Sequence, residues 1–310
     1  MAQGDSTSGL KMTRLCEGRV AIVTGAGRGL GREHALLLAA HGARVVVNDL
    51  GAAVDGTGAD ASFAARTAAD IRAAGGEAIV NGDDVGSWDG AKRLIEQALS
   101  AWGRLDVLVN NAGILRDRML VNMSEEEWDA VVRVHLKGTF APSRHAAAHW
   151  RELFKTTGAP VKGRIINTTS TSGIYGNVGQ TNYGAAKAGV AAFTIIAARE
   201  LKKFGVTVNA VSPSAQTRMT ENLRVLTDEQ RAQRDPKWVS PVVVYLASES
   251  AQDITGRVIQ AGVGRIAVCE GWRRGAEAPQ VADPAEAGRL IREMLPKVRR
   301  NSGMDGMELD

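Results

Sequence analysis

Short apolar runs alternate with longer amphipathic stretches along most of this 310-residue chain. The apolar runs are rich in valine and isoleucine, as expected for strands that are buried on both faces. They predict seven strands, at residues 20–24, 44–48, 77–81, 107–110, 163–168, 206–211 and 257–260. The longer stretches predict helices at residues 29–41, 62–74, 88–102, 125–153, 183–204 and 241–248. Regular alternation of strand and helix implies right-handed crossovers, so the pattern predicts an α/β fold with a doubly wound parallel sheet.

The two ends of the chain lack this alternation. Residues 1–17 are polar, contain no hydrophobic signal region, and are expected to form a disordered leader. Residues 18–262 carry the α/β pattern and are predicted to be one domain. Residues 263–310 are predicted to be a C-terminal helical extension, with one amphipathic helix at residues 284–298.

The composition excludes several classes of function. Hydrophobic residues make up 44% of the chain, which is enough for a large buried core. The 38 basic residues are offset by 34 acidic ones and form no dense run, so we expect no nucleic-acid partner. No apolar run approaches the roughly 18 residues of a membrane span, so no membrane partner is expected either. Cys16 and Cys269 lack metal-ligand spacing; we expect no metal, and two free thiols in a reducing cytoplasm.

A glycine-rich turn joins the first predicted strand to the first predicted helix. It reads TGAGRGLG from Thr24 to Gly31, and the helix follows directly. The backbone N–H groups of such a turn, together with the dipole of the following helix, favour binding of a pyrophosphate. The turn therefore predicts a Rossmann-type nucleotide site. Its expected cofactor-binding residues are Gly25, Gly27, Arg28, Gly29, Leu30 and Gly31.

Asp49 ends the second predicted strand, about 20 residues after the glycine turn begins. A carboxylate at this position can accept hydrogen bonds from the ribose hydroxyls of adenosine. It would also repel a 2′-phosphate, because like charges at about 4 Å cost on the order of 4 kcal/mol at an effective dielectric constant of 20. Arg28, inside the turn, could offset part of that repulsion. We therefore predict NAD as the cofactor in preference to NADP.

Tyr183 and Lys187 lie four residues apart on a predicted helix and so share one of its faces. An ammonium near a phenol favours the phenolate, so we expect Lys187 to lower the pKa of Tyr183 from its reference value of about 10. Tyr183 is then the predicted acid/base, and Ser170 is predicted to hydrogen-bond the substrate oxygen, with Ser172 as a weaker alternative. Together with a nucleotide site, these residues predict hydride transfer between an alcohol or ketone and a nicotinamide.

Three motifs resemble those of the short-chain dehydrogenase/reductase family. They are TGAGRGLG at residues 24–31, NNAG at residues 110–113 and YGAAK at residues 183–187, and they occur in the family's order within residues 19–262. The resemblance implies which further residues bind the cofactor. They are Asp84 and Val85 at the adenine, Asn111, Ala112 and Gly113 along the cofactor, Tyr183 and Lys187 at the nicotinamide ribose, and Pro213 and Thr217 near the carboxamide.

Two positions depart from the pattern of the family. Ser214 stands where the family usually has a glycine after Pro213. His135 occupies the position of the family's fourth catalytic residue, an asparagine in the helix before the fifth strand. An imidazole there could hold a relay water or a backbone carbonyl, or could simply pack. If His135 holds a relay water, its titration predicts an acid limb of kcat between about pH 5.5 and 7.5.

Further strings resemble one group within the family. This group comprises the (3R)-hydroxyacyl-CoA dehydrogenase domains of peroxisomal multifunctional enzyme type 2 and their bacterial relatives. The strings are NDLG at residues 48–51, NNAGILRDR at 110–118, VHLKG at 134–138, SGIYGN at 172–177 and RMT at 218–220. The resemblance implies oxidation of a (3R)-hydroxyacyl-CoA, with a fatty or steroid side chain, by NAD. Because no C-terminal Ser-Lys-Leu address is present, a cytoplasmic location is expected.

The resemblance also implies a homodimer or homotetramer, packed through the predicted helices at residues 125–153 and 183–204. Two other functions remain open. One is an NADPH-dependent reductase of a 3-oxoacyl carrier or a hydroxysteroid, which Asp49 disfavours. The other is a catalytically silent nucleotide-binding regulator, which the presence of Ser170, Tyr183 and Lys187 disfavours.

Overall fold

A computed structural model describes residues 14–215 and 227–308 of the chain. Within these residues, eight strands form a single sheet in the order β3-β2-β1-β4-β5-β6-β7-β8. All neighbouring strands are parallel except β7 and β8, which are antiparallel. The doubly wound α/β sheet predicted from the sequence is therefore confirmed. The strands are β1 (Val20–Thr24), β2 (Arg44–Asn48), β3 (Glu77–Asn81), β4 (Val107–Asn110), β5 (Arg164–Thr168), β6 (Thr207–Pro213), β7 (Val258–Gly262) and β8 (Arg265–Cys269).

The α-helices form a layer on each face of the sheet. Residues of α1, α2 and α9 build the core of one face, and residues of α3, α5 and α7 build the core of the other. Alternate residues of each central strand enter the two cores, which explains the continuous apolar runs in the sequence. None of the helices in the described ranges is long and apolar enough to cross a membrane. The helices are α1 (Gly29–Ala40), α2 (Ser62–Ala73), α3 (Trp88–Trp102), α4 (Glu125–Val132), α5 (Gly138–Thr157), α6 (Thr171–Ile174), α7 (Thr181–Leu201), α8 (Asp228–Gln233), α9 (Ser240–Ala247) and α10 (Pro284–Met294).

The count of seven predicted strands is wrong, because the sequence analysis missed β8. A two-residue turn at Val263 and Gly264, with φ values of 51° and 71°, joins β8 to β7 as a hairpin. β8 is the edge strand, and four of its five residues are exposed. An exposed edge strand needs no continuous apolar run, so the signal that marked the central strands is missing here. The C-terminal extension therefore contributes a strand as well as α10.

The predicted helix at residues 125–153 is interrupted. It begins at Glu125 as expected, where Ser124 and Glu127 form a reciprocal capping box. The residues Arg133–Lys137 then form a π-helical turn before α5 begins at Gly138. A π turn inserts an extra residue into the helix and changes the direction of its side chains, and such turns frequently lie at functional sites. This one contains His135.

The folded domain begins before residue 18. Cys16 is completely buried, its Sγ lies 3.7 Å from the carbonyl oxygen of Val244, and its N–H donates to the carbonyl of His41. The last residues of the predicted leader, from residue 14 onward, thus belong to the domain. Residues 1–13 lie outside the described part of the chain.

The strand order reverses between β1 and β4. After β3 the chain returns to the middle of the sheet, so that β4 pairs with the other side of β1. The connections that follow β1 and β4 therefore diverge and open a crevice at the carboxyl ends of the strands, where ligands bind in such sheets. The glycine turn follows β1 and the NNAG string follows β4. The topology thus brings the predicted cofactor and catalytic motifs to one edge of the sheet.

Candidate active site

The glycine turn packs tightly upon itself and against the loop after β4. Gly25 has a φ of 63°, and a Cβ on it would lie 2.8 Å from the Cα of Ala112. A Cβ on Gly31 would lie 2.1 Å from the carbonyl oxygen of Gly25. Side chains are therefore excluded from these two positions, and the backbone of the turn remains accessible to a ligand.

The turn leads directly into the N-terminus of α1. The residue at its N-cap, Arg28, makes no capping hydrogen bond with its side chain, whereas α3 and α4 begin with capping serines. The N–H groups of the first turn of α1 and the positive end of its dipole suit an anion. The predicted residues of the turn therefore fit the pyrophosphate of a dinucleotide.

Thr24 and Asn111 join the glycine turn to the loop after β4. The backbone N–H groups of Asn111 and Ala112 both donate to Thr24 Oγ1, at 2.9 and 3.1 Å. The amide Nδ2 of Asn111 donates to the carbonyl oxygens of Thr24 and Gly25, at 3.0 and 3.2 Å. The residues predicted to line the cofactor, from Asn111 to Gly113, are thereby fixed beside the turn.

Asp49 lies against the glycine turn, as the sequence predicted. Its Oδ2 accepts from the N–H of Gly27 at 2.7 Å, and its Oδ1 accepts from the N–H of Gly51 at 2.6 Å. Each carboxylate oxygen has a further lone pair, so Asp49 can still accept hydrogen bonds from a ribose. The guanidinium carbon of Arg28 lies 3.6 Å from the centroid of the Phe63 ring. A hydrogen bond from Arg28 to the carbonyl of Ala52 adds to this contact and directs the guanidinium toward the loop after Asp49.

The two residues predicted at the adenine follow β3. Asp84 accepts from the N–H of Gly86 at 2.8 Å and from Nη1 of Arg133 at 2.6 Å, which links it to the π turn. The side chain of Val85 is buried and packs in the core with Leu94 and Ile95, so a contact from Val85 to a ligand would come from its backbone.

The predicted carboxamide contacts follow β6. Pro213 is the last residue of that strand. Ser214, in place of the usual glycine, donates from its N–H to the carbonyl of Ala261 at 2.8 Å and accepts from Nε2 of Gln260 at 3.2 Å. The serine therefore continues the pairing with β7 without disrupting it. Thr217 lies outside the described residues.

Ser170, Tyr183 and Lys187 come together as predicted. The Ser170 hydroxyl lies close enough to the phenol of Tyr183 to lower its pKa, and Nζ of Lys187 lies 5.7 Å from the centroid of the tyrosine ring. The ammonium of Lys187 donates to the carbonyl of Thr168 at the end of β5. Ser172, the alternative to Ser170, donates instead to Oε1 of Gln180 at 2.7 Å. Its hydroxyl therefore serves to hold the loop and not the substrate.

The ionisation of this group differs from the expectation. Burial raises the pKa of Tyr183, the hydrogen bond from Ser170 lowers it, and the charge of Asp117 raises it further. Burial also lowers the pKa of Lys187 to about 7. The predicted lowering of the Tyr183 pKa by Lys187 is therefore wrong for this site, because burial acts on both groups and the ammonium is directed at Thr168. Of this pair, Lys187 is therefore the group that loses its proton near pH 7.

His135 belongs to the π turn, and its side chain is buried against Gly113 and Tyr183. Its Nε2 lies 2.7 Å from the carbonyl oxygen and 3.1 Å from the nitrogen of Ile114, so it donates to the first or accepts from the second according to its tautomer. Its ring meets the Tyr183 ring edge-on, with 5.0 Å between the centroids. A Cβ on Gly113 would lie 2.3 Å from Cε1 of His135, so the ring occupies the space of a side chain there.

His135 does not titrate in the range expected from the sequence. Burial, and then the charge of Lys187, hold the pKa of His135 well below its usual value. The imidazole is therefore neutral near pH 7, and the assignment of an acid limb to it is wrong. Of the three roles considered from the sequence, the geometry supports the hold on a backbone carbonyl.

Sequence reasoning missed Asp117 and Gln180. Gln180 is the N-cap residue of α7, and its Nε2 donates to Oδ2 of Asp117 at 2.7 Å. The charge of Asp117 acts on Tyr183, three residues after Gln180. Asp117 lies within the string NNAGILRDR, and Gln180 lies just before YGAAK. The signal available in the sequence was Gln180, a polar residue at the start of the helix that carries Tyr183.

Comparison with known proteins agrees with this geometry. The family model for short chain dehydrogenases matches residues 19–228. The chain is 47% identical over 246 residues to the hydroxyacyl-CoA dehydrogenase ChsB1 of Mycobacterium tuberculosis, covering 78% of this chain and 76% of that protein. It is 48% identical over 248 residues to the peroxisomal multifunctional enzyme type 2 of Drosophila melanogaster, covering 80% of this chain but only 39% of that longer enzyme.

A crystal structure of a short chain dehydrogenase from Mycobacterium avium has the same fold, with a TM-score of 0.83 at 51% sequence identity. The superposition covers 93% of this chain and 98% of that one. The family match extends over more than half of the sequence and includes the glycine turn, Ser170, Tyr183 and Lys187. The chain belongs to the short-chain dehydrogenase/reductase family of oxidoreductases.

Proposed function

We propose that this protein oxidises (3R)-hydroxyacyl-CoA thioesters, with a fatty or steroid side chain, to 3-oxoacyl-CoA, and that NAD accepts the hydride. The observation that carries the proposal is the convergence of Ser170, Tyr183 and Lys187 beside a crevice that fits a dinucleotide. The choice of substrate is supported by the names of two relatives, a hydroxyacyl-CoA dehydrogenase and a peroxisomal multifunctional enzyme type 2.

The three side chains divide the chemistry between them. The nicotinamide, when bound, supplies the acceptor for the hydride that leaves C3 of the substrate. Ser170 holds the C3 hydroxyl oxygen, and Tyr183 takes the hydroxyl proton as the C–O bond becomes C=O. When Lys187 has lost its proton, its amine can take the proton of the phenol, so that Tyr183 can receive the proton of the substrate hydroxyl. In the reverse direction Tyr183 returns the proton to the carbonyl oxygen.

The first test combines substrate choice with the role of Tyr183. We expect NAD reduction with (3R)-hydroxyacyl-CoAs of graded chain length to exceed that with a free hydroxysteroid. Tyr183→Phe removes the transferable proton but keeps the ring, so turnover should fall by at least about a hundredfold. NAD affinity, measured by calorimetry, should stay close to that of the unmodified protein.

Tyr245→Phe is the matched control, because Tyr245 is a half-exposed tyrosine on α9 and should tolerate the change. Turnover of Tyr183→Phe within fivefold of wild type would contradict the catalytic role of Tyr183. NAD binding without turnover of any alcohol or ketone would favour a regulator, and faster turnover of the hydroxysteroid would contradict the thioester.

We propose NAD as the cofactor because of the positions of Asp49 and Arg28. The carboxylate of Asp49 is fixed at the glycine turn by two backbone N–H groups. Arg28 contacts the Phe63 ring and donates to the carbonyl of Ala52, so its guanidinium is engaged beside the turn. A 2′-phosphate beside this carboxylate would be repelled by its charge.

Substitution of Asp49 tests this preference. Asp49→Asn keeps an acceptor for the N–H of Gly27 but removes the charge, and it should improve NADP affinity by at least about tenfold. Asp49→Arg should shift the preference further toward NADP. Calorimetric titration of both cofactors measures the effect. Equal affinity of the unmodified protein for NAD and NADP would instead favour an NADPH-dependent reductase.

We propose that His135 positions the backbone of Ile114 without titrating. The rate of oxidation should then rise with pH through about 7, where the Tyr183–Lys187 pair loses a proton. His135→Asn can still hydrogen-bond to Ile114 and should leave this acid limb in place. His135→Leu leaves the buried peptide group of Ile114 without its partner, at a cost of about 1–3 kcal/mol, and should lower both stability and activity. Loss of the acid limb in His135→Asn alone would show that His135 titrates after all.

We also propose that the protein is a homodimer or homotetramer. On α7, Ala186, Val190, Thr194 and Ala197 are buried in the subunit core, and Phe193 is partly buried against it. The outward face carries Ala185, Ala188, Ala192 and Ile196, and Phe140 is exposed on α5. These exposed apolar residues support the packing of α5 and α7 against another subunit.

The free thiols of Cys16 and Cys269 support a cytoplasmic location.

Light scattering tests the assembly. We expect the mass of a dimer or tetramer for the unmodified protein, and a smaller mass for Ala188→Arg because a long charged side chain cannot be accommodated in a close helix contact. Ile291→Glu, at an exposed position of α10, is the control and should leave the mass unchanged. A monomer mass at all concentrations of the unmodified protein would contradict the proposal.

A further inference from the structure

The loop after β4 is fastened to the start of α7. The N–H of Arg118 donates to the carbonyl of Gly179 at 2.8 Å, and Nδ2 of Asn182 donates to the carbonyl of Arg116 at 2.9 Å. Between these two contacts lies the hydrogen bond from Gln180 to Asp117. The carboxylate of Asp117 is therefore held at the N-cap of α7, three residues before Tyr183 in the chain.

Gln180 is itself rigidly held. Its side chain is buried, and its Oε1 accepts from the hydroxyl of Ser172 at 2.7 Å and from Nδ2 of Asn177 at 2.9 Å. With the amide oxygen occupied in this way, the amide nitrogen must face Asp117. The position of the carboxylate is thus set by a connected network that includes α6 and α7.

The titratable groups that contact or act on Tyr183 come from three elements. Lys187 lies on the same helix, His135 lies in the π turn and is neutral near pH 7, and Asp117 lies in the loop after β4.

The two arginines that flank Asp117 make contacts elsewhere. Arg118 forms an ion pair with Glu127 at 2.9 Å. Nε of Arg116 donates to the carbonyl of Asp55 at 2.8 Å. The carboxylate of Asp117 is therefore not paired with either of these arginines.

We propose that Asp117 is a positioning residue for proton transfer at Tyr183, and that its carboxylate, held by Gln180, keeps the proton on the phenol. This inference rests on the proposed acid/base role of Tyr183. A protonated phenol is the form that donates to a carbonyl oxygen, so Asp117 favours reduction of the 3-oxo group at neutral pH and moves oxidation to higher pH. The direction of the effect agrees with the raised pKa of Tyr183, to which Asp117 contributes after burial.

Asp117 also responds to pH itself. Burial raises the pKa of Asp117, while the hydrogen bond from Gln180 lowers it by stabilising the carboxylate. On acidification Asp117 takes up a proton and its charge is lost, so its effect on Tyr183 disappears at low pH. The effect is therefore present above the pKa of Asp117, in the range where the Tyr183–Lys187 pair titrates.

Asp117→Asn in the holoenzyme provides the test, because the asparagine oxygen can still accept from Gln180 while the charge is removed. We expect the pKa of Tyr183 to fall by about half a unit to one unit. The acid limb of oxidation and the alkaline limb of reduction should move to lower pH together. Carbon-13 NMR of ring-labelled tyrosine measures the pKa directly, since the chain has three tyrosines and Tyr183→Phe identifies the signal.

Three further variants sharpen the test. Asp117→Ser removes the same charge with a smaller acceptor and should produce the same direction of shift if Asp117→Asn does not fold. Asp129→Asn removes an exposed carboxylate from α4 and should leave the pKa of Tyr183 unchanged. Gln180→Leu keeps the charge but releases the carboxylate, so a smaller shift in the same direction is expected.

An unchanged Tyr183 pKa in both Asp117 variants would overturn the proposal, and an unchanged pKa in Gln180→Leu would overturn the role given to Gln180. The NMR titration does not require turnover. If the proposed function is wrong, the protein will lack activity, while Asp117→Asn still lowers the pKa of Tyr183. If this inference is wrong, the protein will be active, but Asp117→Asn will leave the pKa of Tyr183 unchanged.

Discussion

The hydrogen bonds between Thr24 and Asn111 are the constraint on which the rest of the site depends. Thr24 is almost completely buried at the end of β1, and its hydroxyl oxygen accepts from two consecutive backbone N–H groups of the loop after β4. Each buried donor left without a partner would cost about 1–3 kcal/mol. Separation of the ends of β1 and β4 would therefore be strongly unfavourable. As a result the glycine turn and the residues 111–113 form one rigid wall of the crevice, and the catalytic helix can be positioned against it.

A second fixed point lies at His135, 21 residues after Ile114 in the chain. The π turn directs this imidazole onto Gly113 and Ile114, where no side chain on Gly113 competes for the space. Beyond Ile114 the same loop is tied to α7 by its contacts with Gln180 and Asn182. A continuous series of hydrogen bonds therefore runs from the cofactor turn to the helix that carries Tyr183. Because His135 stays neutral, this series does not change as the Tyr183–Lys187 pair gains or loses a proton.

The features that could be predicted from the sequence are those with a strong local signal. The central strands are buried on both faces and appear as unbroken apolar runs, such as Val20–Thr24, and the helix spacing of Tyr183 and Lys187 fixes their common face. β8 has no such signal, because most of its residues face solvent at the edge of the sheet. The π turn at His135 left no trace in the helical periodicity, since a single inserted residue shifts the pattern by less than one turn. The position of Asp117 at the site could be recognised only once the structure placed the loop after β4 beside α7.

The ionisation of the site shows most clearly why geometry was needed. From spacing alone, a lysine one turn from a tyrosine should stay charged and draw the phenol toward its ionised form. Burial outweighs that attraction and moves the pKa of Lys187 from 10.5 to about 7. A shift of this size corresponds to a cost on the order of 5 kcal/mol, because the unfolded chain binds a proton that the folded site disfavours. This cost to folding is fully present below about pH 7, and it disappears as the pH rises toward the ordinary pKa of a lysine. A lysine buried at this cost is compatible with the proton-transfer role proposed for Lys187.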